Sequence, residues 1–187
     1  IAWRDGKTGW PFFDACMRYL TATGWINFRM RAMLQSVASY TLWLPWQATG
    51  THLANLFMDY EPGIHWSQVQ MQSGVTGINS VRAYSVGKQS TDHDPDGEFI
   101  RRWVPELSGV PAEHIHEPWL MTKTQQEQYN CRIDIDYPAP IVDEKAARKA
   151  GISRSYKAKS DAAVKRRAKI VFDIHGSRSR QSGRSRN

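Results

Sequence analysis

The chain of 187 residues has few cysteines, no long apolar run and no recognisable leader. Its two cysteines, Cys16 and Cys131, exclude a disulfide framework and an all-cysteine metal site. No apolar run approaches the roughly 18 residues of a transmembrane helix. The first residue is Ile, so we expect the chain to start within a longer reading frame and to lack a signal peptide. A soluble intracellular protein without a membrane partner is predicted.

Strand-like alternation of apolar and polar residues does not persist anywhere, so the predicted fold class is mostly α. Apolar residues at helical spacing predict three helices, over 11–22, 25–40 and 51–58. Residues 59–63 predict a turn, which a Gln-, Ser- and Gly-rich stretch follows over 67–79. Residues 120–144 are predicted to be extended or irregular. Ala, Lys and Arg predict one basic helix over 157–171.

Charge is divided unevenly along the chain. Residues 145–187 hold 14 Lys and Arg and two acidic residues. Residues 1–144 hold 11 Lys and Arg and 16 acidic residues. Such a tail suits nucleic acid or another anionic surface, because neutralising phosphates releases counterions. A solvated terminus explains the same charge equally well. Residues 177–187 contain no apolar side chain and are predicted to be disordered.

Two positions carry polar side chains in a setting that suggests chemistry. Arg29 and Arg31 are two residues apart and diverge by about 200° on a helix, so one of them faces inward. An inward Arg needs a carboxylate, for which Asp59 is the candidate, although spacing alone favours a structural ion pair. His65 beside Trp66 follows a Pro-Gly pair and is placed to meet a ligand or to titrate near neutrality. A lone His is nevertheless more often structural.

Eight tryptophans are many for this length. Trp25, Trp43 and Trp46 lie close in sequence, and bulky rings on adjacent helices either pack in a core or stack on an aromatic cofactor and pass electrons. Core packing is the default expectation. The run His-Ile-His-Glu over 114–117 resembles half of a metal site, but no second His or Cys pair has zinc-like spacing, so no metal is predicted.

Five motifs, in order, resemble the DNA photolyase/cryptochrome family. They are TGWPFFDACMRYL at 8–20, TGWINFRMR at 23–31, GEFIRRWVPEL at 97–107, HEPW at 116–119 and YPAPIVD at 137–143. The resemblance implies the C-terminal half of the photolyase-type all-helical FAD-binding domain. Residues 1–144 would then form a partial FAD-binding domain, and 145–187 a basic C-terminal helix with a disordered tail. A plant- or cyanobacteria-like branch is predicted.

The resemblance also implies FAD as the cofactor. In the family, an N-terminal antenna domain and the first half of the FAD domain precede this region, and that half carries a Ser/Thr-rich loop for the FAD phosphates. Pyrophosphate needs backbone N–H groups or cations, and residues 1–144 show no Gly-rich phosphate loop. We therefore expect half a flavin site, weak or no FAD binding by the chain alone, and completion of the site by a missing N-terminal half or a partner chain.

Five positions match the family's cofactor-binding residues. The flavin-facing Arg falls on Arg31 and its acidic partner on Asp59. The family's Asp-x-Asp becomes Asp59, Tyr60 and Glu61, near the flavin ring and ribityl chain. The position that faces flavin N5 falls on His65, where photolyases commonly have Asn. The resemblance thus implies an unusual group beside the flavin.

The family reduces its flavin through three tryptophans. The middle one falls on Trp46, and the outer one falls before the first residue. The flavin-proximal one falls at Val69, which cannot carry an electron. Trp66, three residues earlier, is the candidate substitute, so the usual path is either broken or rerouted.

Four positions match DNA contacts of the family. A polar lesion contact falls on Phe28, and the neighbouring basic contact is kept as Arg29. The lesion-stacking aromatic residue falls near Met71, and a polar contact is kept as Gln89. Two of the four positions therefore depart from the family pattern.

The implied function is light-driven repair of pyrimidine dimers in DNA by electron transfer from reduced FAD, which is a photo-lyase-like enzyme activity. DNA would bind at the flavin-pocket face and the basic tail. One alternative is a cryptochrome-type blue-light photoreceptor without repair activity, which the missing proximal Trp favours. A non-catalytic fragment that needs a partner chain is the other alternative.

Overall fold

The computed structural model describes residues 2–76 and 81–175, and this part is mostly α-helical, as predicted. The α-helices are α1 (Ala2–Asp5), α2 (Pro11–Thr23), α3 (Phe28–Ser36), α4 (Trp46–Leu56), α5 (Pro62–Gln72), α6 (Val86–His93), α7 (Glu98–Trp103), α8 (Ala112–Ile115), α9 (Lys123–Gln128), α10 (Glu144–Ser160) and α11 (Ala162–His175). Short 3₁₀ turns lie at Pro105–Leu107 and Pro118–Leu120. Within these residues the β-structure is a single isolated bridge, between Ile133 and Tyr137.

Helix α2 is the centre of the core. It begins with Pro11, whose missing N–H costs nothing in a first turn, and ends at Gly24 in the left-handed conformation (φ 71°). Phe13, Met17 and Leu20 are completely buried, and the helix packs against α3, α6 and α7. Each such side chain contributes about 1.5–3 kcal/mol of hydrophobic free energy. This core holds the helices that form the site.

A buried carboxylate, Asp14, joins α2 to a distant segment. It accepts hydrogen bonds from the backbone N–H of Thr8 (2.8 Å) and Gly9 (3.0 Å) and from the Tyr137 hydroxyl (2.6 Å). Burial raises the pKa of Asp14, and these donors oppose that rise. Residues 123 positions apart are thereby held together.

The helix predicted over 25–40 starts later and changes type before it ends. Asn27 caps α3 by accepting a hydrogen bond from the Met30 N–H (3.0 Å). After Ser36 the chain forms a π-helix over Val37–Thr41, a rare widened turn. Helix α10 packs on this π-helix so closely that a Cβ at Gly151 would lie 1.8 Å from the Tyr40 carbonyl oxygen.

Two helices, α5 and α9, appear where the sequence predicted other structure, and a third, α4, begins five residues before the predicted start. Helix α5 covers the end of the predicted turn over 59–63 and the beginning of the Gln-rich stretch over 67–79. Glu61 caps α5 by accepting from the Ile64 N–H, and Pro62 occupies its first turn, so the Pro-Gly pair starts a helix. Thr122 and Gln125 form a capping box that begins α9 inside the segment predicted to be irregular.

The basic segment forms two helices, so the prediction of one helix over 157–171 is wrong. Helix α10 ends at Ser160, and Asp161 caps α11 by accepting from the Ala163 N–H (2.8 Å). The predicted disorder of 177–187 lies outside the described residues. Among the described helices, none has both the length and the apolar composition needed to cross a membrane.

Candidate functional site

A cavity of about 360 Å³ opens where α3, α4 and α5 meet. This volume lies within the usual range for small-molecule sites. One part of its wall is apolar and aromatic, formed by Trp25, Ile26, Phe28, Phe57, Tyr60, Ile64 and Val69. The other part is polar and is formed by Arg31, Asp59, Glu61, His65, Gln68 and Gln72. The five predicted cofactor residues therefore share one cavity.

Arg31 is the inward-facing arginine of the two candidates, and Arg29 is exposed. Arg31 Nη2 donates to both carboxylate oxygens of Asp59 (2.7 and 2.9 Å), and Arg31 Nε donates to the Ile26 carbonyl (2.7 Å). The guanidinium also lies 4.3 Å from the centre of the Phe57 ring. The hydrogen bonds from Arg31 lower the pKa of Asp59. The side chains are 25% and 47% exposed, so the pair lies at the cavity wall and not in the core.

Replacing Arg31 by Met should lower the free energy of unfolding by about 1–2 kcal/mol, because a partly exposed pair and one hydrogen bond are removed. The lowered pKa of Asp59 makes the pair stabilising above the carboxyl's ordinary value of 3.8 and non-stabilising once pH falls through the lowered value. Urea unfolding should therefore show that the loss of unfolding free energy in Arg31→Met is smaller at about pH 3 than at about pH 7. Arg29→Met is the matched control, and equal deficits in both variants would contradict the pairing.

Tyr60 and Glu61 use their polar atoms locally. The Tyr60 hydroxyl accepts a hydrogen bond from Trp66 Nε1 (3.2 Å), and its ring lies 5.3 Å from that of His65. The Glu61 carboxylate caps α5 through the Ile64 N–H (2.6 Å). Tyr60 thus presents its ring to the cavity, whereas Glu61 fixes the start of the helix that carries His65.

His65 is held in one orientation by backbone. Its Nε2 lies 2.9 Å from the Gly50 carbonyl oxygen, and since a carbonyl only accepts, Nε2 carries the hydrogen. Burial lowers the pKa of His65, the charge of Arg31 lowers it further, and the bond to Gly50 opposes both. The ring is therefore neutral at neutral pH, and its other nitrogen is an acceptor.

Trp46 and Trp66 are in edge contact, with ring centres 6.4 Å apart. Trp66 in turn contacts His65 at 5.1 Å. Gly50 permits this arrangement, since a Cβ there would lie 2.8 Å from the Trp66 ring and 2.9 Å from Val69. An unbroken aromatic path thus runs from Trp46 on α4 to the cavity wall.

The four predicted DNA contacts are not all on one surface. Phe28 is 62% exposed at the cavity mouth, and Arg29 beside it is exposed. Met71 is half-buried on α5. Gln89 is only 7% exposed in α6, and neither Gln89 nor Met71 lines the cavity. The four DNA contacts therefore stay a prediction.

Sequence reasoning missed three polar residues of the cavity wall, Asn27, Gln68 and Gln72. Among them, Gln68 has a buried Oε1 with no hydrogen-bond partner among the described residues. An unpaired buried acceptor is costly unless a ligand or water satisfies it. The signal was the spacing of residues 61, 65, 68 and 72, which lie on one face of a helix and were hidden by the prediction of a loop.

Known proteins resemble this chain over most of its length. A family profile described as the FAD binding domain of DNA photolyase matches residues 1–157. A deoxyribodipyrimidine photo-lyase from Alkalihalophilus pseudofirmus is 36% identical over 154 residues, 81% of this chain and 32% of that protein. A cryptochrome DASH from Gloeobacter violaceus is 35% identical over 142 residues, 75% of this chain and 28% of that protein. The crystal structure of a Synechocystis cryptochrome superposes with a TM-score of 0.77 at 32% identity, covering 81% of this chain and 32% of that one.

The chain spans about a third of the length of these relatives. Both photolyase and cryptochrome names occur among them, in cyanobacteria and in another bacterium. The plant- or cyanobacteria-like branch therefore stays a prediction.

Proposed function

Because the chain belongs to the family of photolyase FAD-binding domains, we propose that it supplies the flavin-ring part of a photolyase-type FAD site. The observation that carries this proposal is the cavity at α3, α4 and α5, in which an aromatic wall faces Arg31, His65 and the unpaired Gln68 oxygen. Such a cavity fits a flat heteroaromatic ring with N–H and C=O groups at its edge. The FAD phosphates would be held by an N-terminal half or by a partner chain.

Each polar residue has a role that follows from its contacts. Arg31, fixed by Asp59 and the Ile26 carbonyl, offers a cation to an electron-rich ring edge. His65 and Gln68 offer acceptors to ring N–H groups. Tyr60 and Phe57 enclose the ring and exclude water. FAD, when bound, supplies light absorption and the transferable electron.

Trp66 and Trp46 form the proposed path by which electrons reach the cavity. Trp66 contacts His65 and Tyr60 in the cavity wall, and Trp46 contacts Trp66 from α4. An electron given up by Trp66 toward the cavity can be replaced from Trp46 through ring contact. This arrangement replaces the proximal Trp that the family has at the position of Val69.

The reaction we propose is light-driven repair of pyrimidine dimers in DNA. Exposed Phe28 offers a ring on which a flipped base stacks, and Arg29 offers a cation to phosphate. Base–aromatic stacking is worth about 1–3 kcal/mol per base. Since Phe28 cannot hydrogen-bond a dimer and Met71 stacks poorly, little energy is available to open a duplex.

Repair is therefore expected to be more efficient on single-stranded than on double-stranded DNA, since unpairing a duplex costs a few kcal/mol. The test is light-dependent turnover on matched substrates with one dimer, using the protein in the assembly that holds reduced FAD. Phe28→Ala should lower turnover on both substrates, whereas Met58→Ala, an exposed residue outside the cavity wall, should not. Equal turnover on the single-stranded and double-stranded substrates would show that another group supplies the free energy needed to flip the dimer out of the duplex.

A blue-light photoreceptor without repair activity is the second candidate. The observation that favours it is the buried, apolar Val69 in place of the family's proximal tryptophan. No turnover on either substrate, combined with normal flavin photoreduction, would support this candidate over repair.

The basic tail is proposed to bind DNA without sequence specificity. A truncation that tests this proposal must leave α10 in place, because α10 packs on the π-helix and its removal would disturb the fold. Truncation after Ser160 removes eight of the 14 Lys and Arg residues of 145–187. The logarithm of affinity should then fall less steeply with the logarithm of salt, by about 0.9 for each phosphate that the tail no longer neutralises. An unchanged slope would place the DNA-binding cations on the cavity face near Arg29.

A further inference from the structure

Helix α11 lies beyond residues 1–157, the part that the family profile matches, and carries an apolar face. The exposed apolar side chains of this helix are Val164, Ile170, Val171, Phe172 and Ile174. Among the described residues, α11 packs mainly on the end of α10. Five large apolar groups on one 14-residue helix form a surface that needs an occupant.

The two faces of α11 differ in chemistry. At 100° per residue, the five apolar side chains fall within an arc of about 200°. The remaining arc of about 160° holds Lys165, Lys169, Arg166 and the acidic Asp173. Arg167 falls within the apolar arc, where a long side chain can keep its charge in water while its stem covers apolar surface. The helix is therefore amphipathic and basic.

Three possible occupants do not fit this face. Residues 176–187 have no apolar side chain with which to cover it. Two heptads of helix are fewer than the three to four that a coiled coil with a second copy needs, on the order of 25 residues. Duplex DNA would pair with the cations but offers mainly phosphate and sugar, leaving the apolar face in water.

We propose that α11 binds an anionic lipid bilayer, lying in the plane of its interface. The apolar face enters the boundary between headgroups and acyl chains, and Lys165, Lys169 and the neighbouring arginines meet the acidic headgroups. The described residues contain no helix that crosses a membrane, but this mode of binding needs one amphipathic face only. This proposal departs from the prediction, made from the sequence, that the protein has no membrane partner.

The test is flotation of the full chain with vesicles of phosphatidylcholine alone or mixed with phosphatidylserine. The chain should float with the mixed vesicles and not with the neutral ones. Ile174→Ser should weaken partitioning about tenfold, since one buried isoleucine is removed. Ile135→Ser is the matched control, because Ile135 is 70% exposed and Ile174 67% exposed, and Ile135 lies outside α11. Lys169→Gln should weaken binding about fivefold, and added salt should weaken it further.

Several results would overturn the proposal. One is absence of flotation with the mixed vesicles, and another is equal weakening in Ile174→Ser and Ile135→Ser. A chain that is dimeric in solution and becomes monomeric in Ile174→Ser would assign the face to a second copy. Weaker duplex DNA binding in Ile174→Ser would assign it to nucleic acid, since the proposal predicts unchanged DNA affinity in that variant. Capture of the helix by a purified acidic protein with an apolar groove, without flotation, would assign it to a protein partner.

Discussion

Replacing Trp66 by Phe should slow light-driven flavin reduction about tenfold or more, since phenylalanine keeps the packing but is far harder to oxidise. Trp66 contacts both Trp46 and the cavity residue His65, so it is the single ring that connects them in the described structure. The measurement is the bleaching of flavin absorbance under blue light, in the presence of an external reductant. Trp46→Phe should slow reduction to a similar extent.

Trp103→Phe is the matched control for this experiment. Its ring contacts Tyr19 and Phe99 on the far side of α2 and does not line the cavity. Photoreduction in this variant should equal that of the parent. Slower reduction in Trp46→Phe with a parent-like rate in Trp66→Phe would show that electrons bypass Trp66, and parent-like rates in both variants would contradict the path altogether.

Replacing Gly151 by Ala should detach α10 from the π-helix. The new Cβ would lie 1.8 Å from the Tyr40 carbonyl oxygen, a backbone atom that cannot rotate away. We expect the free energy of unfolding to fall by about 1–3 kcal/mol or more, as in overpacked cores. Urea unfolding measures the decrease, and limited proteolysis should reveal new cleavage between Lys145 and Lys157.

Gly87→Ala is the control for this substitution, because a Cβ at Gly87 in α6 would meet no atom within 4 Å. In an open helical position, Ala should leave stability unchanged or raise it by up to about 1 kcal/mol. Equal destabilisation by both substitutions would mean that the contact of α10 with Tyr40 is not close. Parent-like stability of Gly151→Ala would lead to the same conclusion.

The core could be predicted where local signals and tertiary packing agree. The start of α2 at Pro11 and its end at Gly24 follow from residue chemistry alone, and the apolar spacing between them identifies the buried face. The prediction failed at α5, because Pro-Gly is typical of both turns and helix starts. The helix start is determined by the hydrogen bond from the Ile64 N–H to the Glu61 carboxylate. Such a contact cannot be read from the composition of the segment.

Five residues of the candidate site could be predicted from the resemblance, but Gln68 and the geometry of the site could not. The resemblance identified Arg31, Asp59 and His65, and the structure places them around one cavity. The hydrogen bond from His65 to the Gly50 carbonyl depends on how closely two helices cross, which no spacing rule states. Burial of Gln89 likewise depends on packing between distant segments, which a motif position does not reveal.

The bond between Asp14 and Tyr137 also bears on how the protein is made. During translation α2 leaves the ribosome exit tunnel well before Tyr137 is synthesised, so Asp14 on α2 emerges before its hydrogen-bond donor. Closing so long a loop is slow, because entropy must be lost before the contact forms. During synthesis the buried carboxylate of Asp14 therefore lacks its Tyr137 donor until residue 137 has left the ribosome, and the pairing of Asp14 is completed late.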